Sequence, residues 1–278
     1  MIGRIVDLGT RWWWRLVGRE IDLEGDHAWL AAPMSDGPLV GDTWLRGHAA
    51  ELGGGLQEAA GLLGDMSVLD GPGLRTADLA PEVVSFYERT SDWRVEAWSG
   101  WSWWARIPGG LVERWFGRRV GQLAIPTDPL AVARGMDSAV TVATDAAGVR
   151  QGAGWHRTLR ATGEVVYSGF YGTRQRPGAD RAGVHVAFPL EHGNVQVFLR
   201  PEVTPEGGLV LRSPSGRFGD DGAYVVVRFG RRTWAARVPI HEVFHVHLDA
   251  EGVLRTDHDL RLWGARAVTL HYRLEPRA

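Results

Sequence analysis

From about residue 136 onward, apolar and polar side chains take turns along the chain. In "VTLHYRL", Val268, Leu270, Tyr272 and Leu274 alternate with Thr269, His271 and Arg273, the pattern of a strand with one face on a core and the other in water. "GVHVAFP" sets Val184, Val186 and Phe188 against His185 and Ala187, and "NVQVFLR" and "AYVVVRF" are equally rich in β-forming residues. Turn signals separate the runs: Asp145-Ala146-Ala147-Gly148, His192-Gly193-Asn194, Pro205-Glu206-Gly207-Gly208, Gly219-Asp220-Asp221-Gly222 and Asp249-Ala250-Glu251-Gly252. No helical stretch intervenes. The pattern predicts a mainly β (α+β) fold: an antiparallel meander of about ten strands forming a barrel, lipocalin-like in shape, or a curved sheet.

Residues 1–130 read differently, as a mixed helical and irregular Trp-rich part. "APEVVSFYERT" predicts a short helix, with Pro81 suited to its first turn and Val83, Val84 and Tyr87 on one face. "GGLVERWFGRR" predicts another, pairing Leu111 with Trp115 and Val112 with Phe116, with Arg118 and Arg119 beyond its end. No fixed-period repeat or low-complexity linker divides the chain. The expectation is one compact unit, short N-terminal helices packed on a β-rich part over 131–278.

Composition narrows the chemistry. The 278 residues are 44% hydrophobic and 23% charged, ordinary for a folded chain with a sizeable core. There is no Cys, which removes thiol nucleophiles and Cys-based metal sites. All 31 Lys-plus-Arg positions are Arg, so a P-loop lysine, a Schiff-base lysine and a pyridoxal-phosphate anchor are excluded. A net charge of −2, with arginines scattered, argues against nucleic acid as a partner. No apolar run approaches the roughly 18–20 residues that cross a bilayer, and Asp7, Arg11 and Arg15 interrupt any signal-like segment. A cytoplasmic protein is the expectation, with peripheral membrane contact left open. Ten of the fourteen Trp lie between Trp12 and Trp104. "RWWWR" and "WSGWSWWARIPGGLVERWFGRR" mix Trp with Arg, which suits a membrane headgroup region or rings that fill a core with arginines stacked on them.

"HEVFH", residues 241–245, spells the zinc-protease pattern H-E-x-x-H. On a helix, His241 and His245 would be neighbours able to share an ion. On a strand they stand about 13 Å apart. Pro239 before the motif, and the alternation of Phe244, Val246 and Leu248 with His245, His247 and Asp249, favour the strand. His245 and His247 then share a face. With a two-residue turn, in which Asp249 faces Gly252, His258 joins them as a metal candidate; a one-residue slip sends it to the other face. "SPSGRFGDDG" offers Asp220 as a carboxylate without the acidic spacing of a calcium loop. Asn194, the single Asn, sits in a Gly-Asn turn. No G-x-S-x-G elbow or dinucleotide fingerprint occurs.

"FYERTSDWRVEAWSGW", "PTDPL", "FPLEHGNVQVFLRPE", "GRFGDDGAYV" and "LWGARAVTLHYRL" together resemble the soluble C-terminal region of YndJ-like bacterial proteins over about residues 80–274. The resemblance implies a β-rich domain, sometimes joined to a membrane part. It assigns no catalytic role to the matching Phe86, Tyr87, Glu88, Trp98, Asn194, Gly219, Asp220, Trp263 and Tyr272.

Three functions follow as expectations. The first is a non-enzymatic binder of an apolar or amphipathic, lipid-like small molecule, needing no cofactor, with Trp98, Trp101, Trp155, Tyr167, Tyr171, Asn194, Trp263 and Tyr272 as ligand contacts. The second is an enzyme using His258 with Glu88 or Asp220, or a metal held by His245, His247 and His258. The third is a Trp-rich module that meets a protein or a membrane surface.

Overall fold

The structure, a computed structural model, describes residues 2–35, 37, 43–58, 61–102, 104 and 135–277. The helix expected over 109–119 lies outside these residues. Alternating residues zip into antiparallel ladders as expected: β4 (Met136–Thr144), β5 (Arg150–Leu159), β6 (Val165–Arg174), β7 (Gly183–Leu190), β8 (Gly193–Val203), β9 (Leu209–Arg212), β10 (Gly222–Phe229), β11 (Arg232–Val238), β12 (Ile240–Leu248), β13 (Leu254–Leu262) and β14 (Ala265–Pro276). The N-terminal part adds β1 (Arg19–Ile21), β2 (Leu56–Glu58) and β3 (Trp93–Trp101), so fourteen strands share one sheet among the described residues. β3 pairs along its whole length with β14. It was hidden in a stretch whose Trp and Arg content suggested other uses.

The sheet runs β2-β4-β5-β6-β7-β8-β9-β12-β13-β14-β3. It branches at β8, where Gly193–Phe198 pair with β10 and Arg200–Val203 with β9. It does not close. Strands β3 and β4 approach, with Ala97 packed on Met136, Leu159 and Val166 and the Arg277 guanidinium donating to the Ser138 carbonyl, but no ladder joins them among the described residues. Among the described residues the sheet is therefore open and branched, the second of the two expected forms, and not a closed barrel of lipocalin-like shape.

Three helices accompany the sheet among the described residues: α1 (Ile2–Val17), α2 (Thr43–Glu51) and α3 (Pro81–Glu88). Pro81 opens α3 as its fixed φ favours, and Val83, Phe86 and Tyr87 are buried. Together with Leu62, Met66, Leu69 and Leu74 they plug the concave side, meeting inward residues of nearly every strand. The convex side is covered in two places. α2 lays Trp44, Leu45 and Ala49 on Phe170 and Ala187. The segment around Trp29 and Leu30 packs on Phe198 and Tyr224. Gly152 permits the first of these, since a Cβ there would lie 2.1 Å from the Phe170 ring.

α1 rests one side on β10 and β11: Arg11 donates to the Arg228 carbonyl, and the Arg15 guanidinium lies 5.0 Å from the centre of the Trp234 ring. Trp12, Trp13, Leu16 and Val17 are exposed. No helix among the described residues is long and apolar enough to cross a membrane.

Candidate functional site

Between the plug and the concave face lies a cavity of about 150 Å³. Its walls are mostly apolar side chains from ten strands together with Leu62, Phe86 and Tyr87. Period-two alternation puts Trp155 and Arg157 of β5, Tyr167 of β6, Glu242 and Phe244 of β12, His258 of β13 and Tyr272 of β14 on this one face.

The polar groups gather at one place. The Arg157 guanidinium carbon lies 4.2 Å from the ring centre of Trp155, 4.3 Å from that of Tyr167 and 5.5 Å from that of Tyr272. Such cation–π contacts offset part of the cost of burying a charge. No carboxylate lies within ion-pair distance of Arg157 among the described residues, and its Nε has no hydrogen-bond partner. Glu242 places Oε1 3.4 Å from His258 Nε2. That is ion-pair distance but not hydrogen-bond alignment, and both His258 ring nitrogens are buried without a partner. The His258 ring stacks on Phe244 at 3.7 Å. Burial pushes the Tyr167 and Tyr272 hydroxyls above their ordinary range; Arg157 opposes the rise and Glu242 adds to it. Burial likewise raises Tyr87 and Tyr171, whose ring centres lie 6.2 Å apart. All four phenols are therefore neutral donors at pH 7.

Of the expected ligand contacts, Trp155, Tyr167, Tyr171 and Tyr272 line this cavity, and Trp98 borders it from the sheet edge, 43% exposed. The structure places two elsewhere. Asn194 is buried on the convex side, donating to the Pro33 carbonyl at 3.3 Å and accepting from Gln196 at 2.9 Å. Trp263, 78% exposed, occupies the left-handed tip of the β13–β14 hairpin. The side chain of Trp101 lies outside the described residues.

The expected acid/base residues are not assembled. Glu88, at the end of α3, accepts from the Met66 amide at 2.8 Å and so ties that helix to the Met66 segment, while Asp220 accepts from the Arg217 amide at 2.7 Å and fixes a local turn. His258 alone reaches the cavity.

No family model and no solved structure matches this chain. A protein of Bacillus subtilis (strain 168), "Uncharacterized membrane protein YndJ", is 29% identical over 215 residues. The matched stretch is 77% of this chain and 38% of YndJ, so the chain spans well under half the length of that relative. The similarity to YndJ expected from the motifs is present over that stretch.

The H-E-x-x-H letters lie on β12, a strand, so His241 and His245 stand four strand positions apart. The expected trio of His245, His247 and His258 is separated as well. Phe244, not His245, lies opposite His258, while His245 faces Asp257. The cause is the turn. Asp249 accepts from the amides of Glu251 and Val253, and Leu248 pairs with Leu254, one step from the two-residue geometry. A one-residue slip exchanges faces: His258 turns inward and Asp257 takes its place beside His245 and His247. Arg157 and Glu242 were missed as site residues. For Glu242 a signal existed, because the inward phase of Phe244, Val246 and Leu248 extends back to it.

Proposed function

We propose that the chain binds a small amphipathic molecule in the concave cavity without transforming it. One observation carries the reading: an apolar interior that holds a buried arginine with no carboxylate partner, beside a histidine with neither ring nitrogen bonded. Buried polar groups are almost always satisfied, and an anionic or hydrogen-bonding head would satisfy these. The volume bounds the body of the guest. A cavity of about 150 Å³ accommodates about one benzene ring, so a short acyl or single-ring carboxylate matches its size.

The test compares benzoate and hexanoate with benzyl alcohol and hexanol by calorimetry, alongside a native mass spectrum and solvent extract of the purified protein. The acids should bind more tightly than the alcohols. Arg157→Met should remove that preference, a loss of about 1.5–3 kcal/mol, as for a hydrogen bond to a charged group. A guest-free mass spectrum together with no binding of any of the four compounds would end the reading.

A second reading rests on α1, whose exposed Trp12, Trp13, Leu16 and Val17 suit the headgroup layer of a membrane. The description of YndJ as a membrane protein is compatible with it. This chain then corresponds to a soluble C-terminal region lying beside the membrane part of YndJ-like proteins. In co-sedimentation with phosphatidylglycerol vesicles, the wild type should pellet and a Trp13→Glu/Leu16→Glu variant should stay in solution. A wild type that remains in the supernatant rejects this reading.

A further inference from the structure

On the convex face, the register that took His258 away assembles another set. His245, Asp257 and His271 stand in one row across β12, β13 and β14, each directly opposite the next. His247 lies two positions along β12 on the same face, its ring stacked on that of His245 at 4.3 Å. We propose that His245, His247 and Asp257 bind one divalent transition-metal ion, zinc being the best fit.

The ligating atoms of these three residues already lie within 4.8 Å of one another. A tetrahedral zinc site with bonds of about 2.0–2.1 Å needs ligand atoms about 3.3 Å apart, so side-chain rotation alone closes the gap. His271 Nδ1 donates to Asp257 Oδ1 at 2.6 Å. That bond orients the carboxylate and leaves its other oxygen for the ion, as outer partners of metal ligands commonly do. His247 Nδ1 faces the His245 carbonyl at 3.3 Å, which leaves Nε2 for coordination. Gly208 keeps space beside His245, since a Cβ there would lie 3.3 Å from its Nε2. Two imidazoles and one carboxylate suit zinc, cobalt, nickel or copper, and are a poor set for calcium or magnesium, which prefer oxygen cages. Three protein ligands leave a fourth position for water or a small anion.

His241 shares the face but stands about 13 Å from His245 along the strand, so the protease-like spelling has no part in this site. It serves as the control.

The experiment uses the untagged full chain, stripped with chelator and titrated with zinc sulfate by calorimetry, with circular dichroism confirming the fold of every variant. One zinc per chain should bind. His245→Ala and His247→Ala should each abolish stoichiometric binding, and His271→Ala should weaken it about 10- to 100-fold, the usual loss of an outer partner. His241→Ala should bind as the wild type does. Cobalt should give the visible absorption of a four- or five-coordinate site, absent in Asp257→Asn. Where an alanine variant loses its β signal, the glutamine variant takes its place. Failure of the wild type to take up stoichiometric zinc overturns the proposal. So does uptake that survives in the His247 variant, or that is lost in His241→Ala. These outcomes do not involve the concave cavity, so its reading stands or falls separately.

Discussion

Lowering the pH from 7.5 to 5.0 is expected to destabilise the folded chain by about 4 kcal/mol, roughly 2 kcal/mol from each of two histidines. His185 lies fully buried on the convex side, stacked on Phe198 at 4.5 Å. Burial, and then the Arg174 guanidinium, hold its pKa down to about 3, against the small opposing effect of its bond to Gln196. The same two causes lower His48 to about 4. Glu51 lies 3.9 Å from the His48 ring, but its own side chain is 62% exposed and well screened, so it does not reverse the shift. Unfolding frees both imidazoles to titrate near their ordinary 6.5. Between 6.5 and the folded values the unfolded chain binds more protons than the folded one. The contribution is therefore complete above pH 6.5 and is lost as the pH falls toward 4 and 3. Ordinary carboxylates titrate mostly below pH 5, so this window isolates the histidines. Urea unfolding at the two pH values measures the difference, and His48→Leu should remove about half of it. A stability that stays level across the window would show that neither ring is held neutral.

The same burial shows what can be read from sequence and what cannot. The alternation from residue 136 is a property of neighbouring residues, and the sheet follows it from β4 to β14. Closure is not local. It depends on whether β3 and β4 pair, and on β8 dividing its edge between β9 and β10. β3 itself carries a readable phase in Trp93, Val95 and Ala97, masked by a Trp- and Arg-rich composition that suited a membrane surface and a filled core alike. For the site, the strand character of "HEVFH" was legible from Pro239 and the apolar phase. The pairing of Asp257 with His245 was not, because one side chain, Asp249, sets the length of the turn by bonding two backbone amides. Arg157 carries no signal at all. A charged residue in a strand reads as outward-facing, and only three rings brought from β5, β6 and β14 make its inward position tolerable.

Trp155→Ala is expected to cost about 3–5 kcal/mol, as for other large-to-small changes at packed aromatic positions, and added indole is expected to restore part of that loss. Trp155 joins the plug to the wall. Its ring lies 5.4 Å from Tyr167 and 6.4 Å from Phe86, its Nε1 donates to Ser138 at 2.7 Å, and its face supports Arg157. Truncation removes these contacts and adds the volume of an indole to a cavity that already exists. If the surrounding sheet holds its shape, indole replaces the missing ring and the melting temperature climbs with its concentration. At a hundredfold excess over its dissociation constant the gain is about 2.7 kcal/mol. The wild type, whose own indole fills the place, should gain much less. If the walls instead collapse onto the gap, indole rescues nothing. The concave face is then not a preformed container, and the reading of the chain as a small-molecule binder loses its physical basis. Rescue in the variant together with a weak response in the wild type is what a rigid, enterable interior demands.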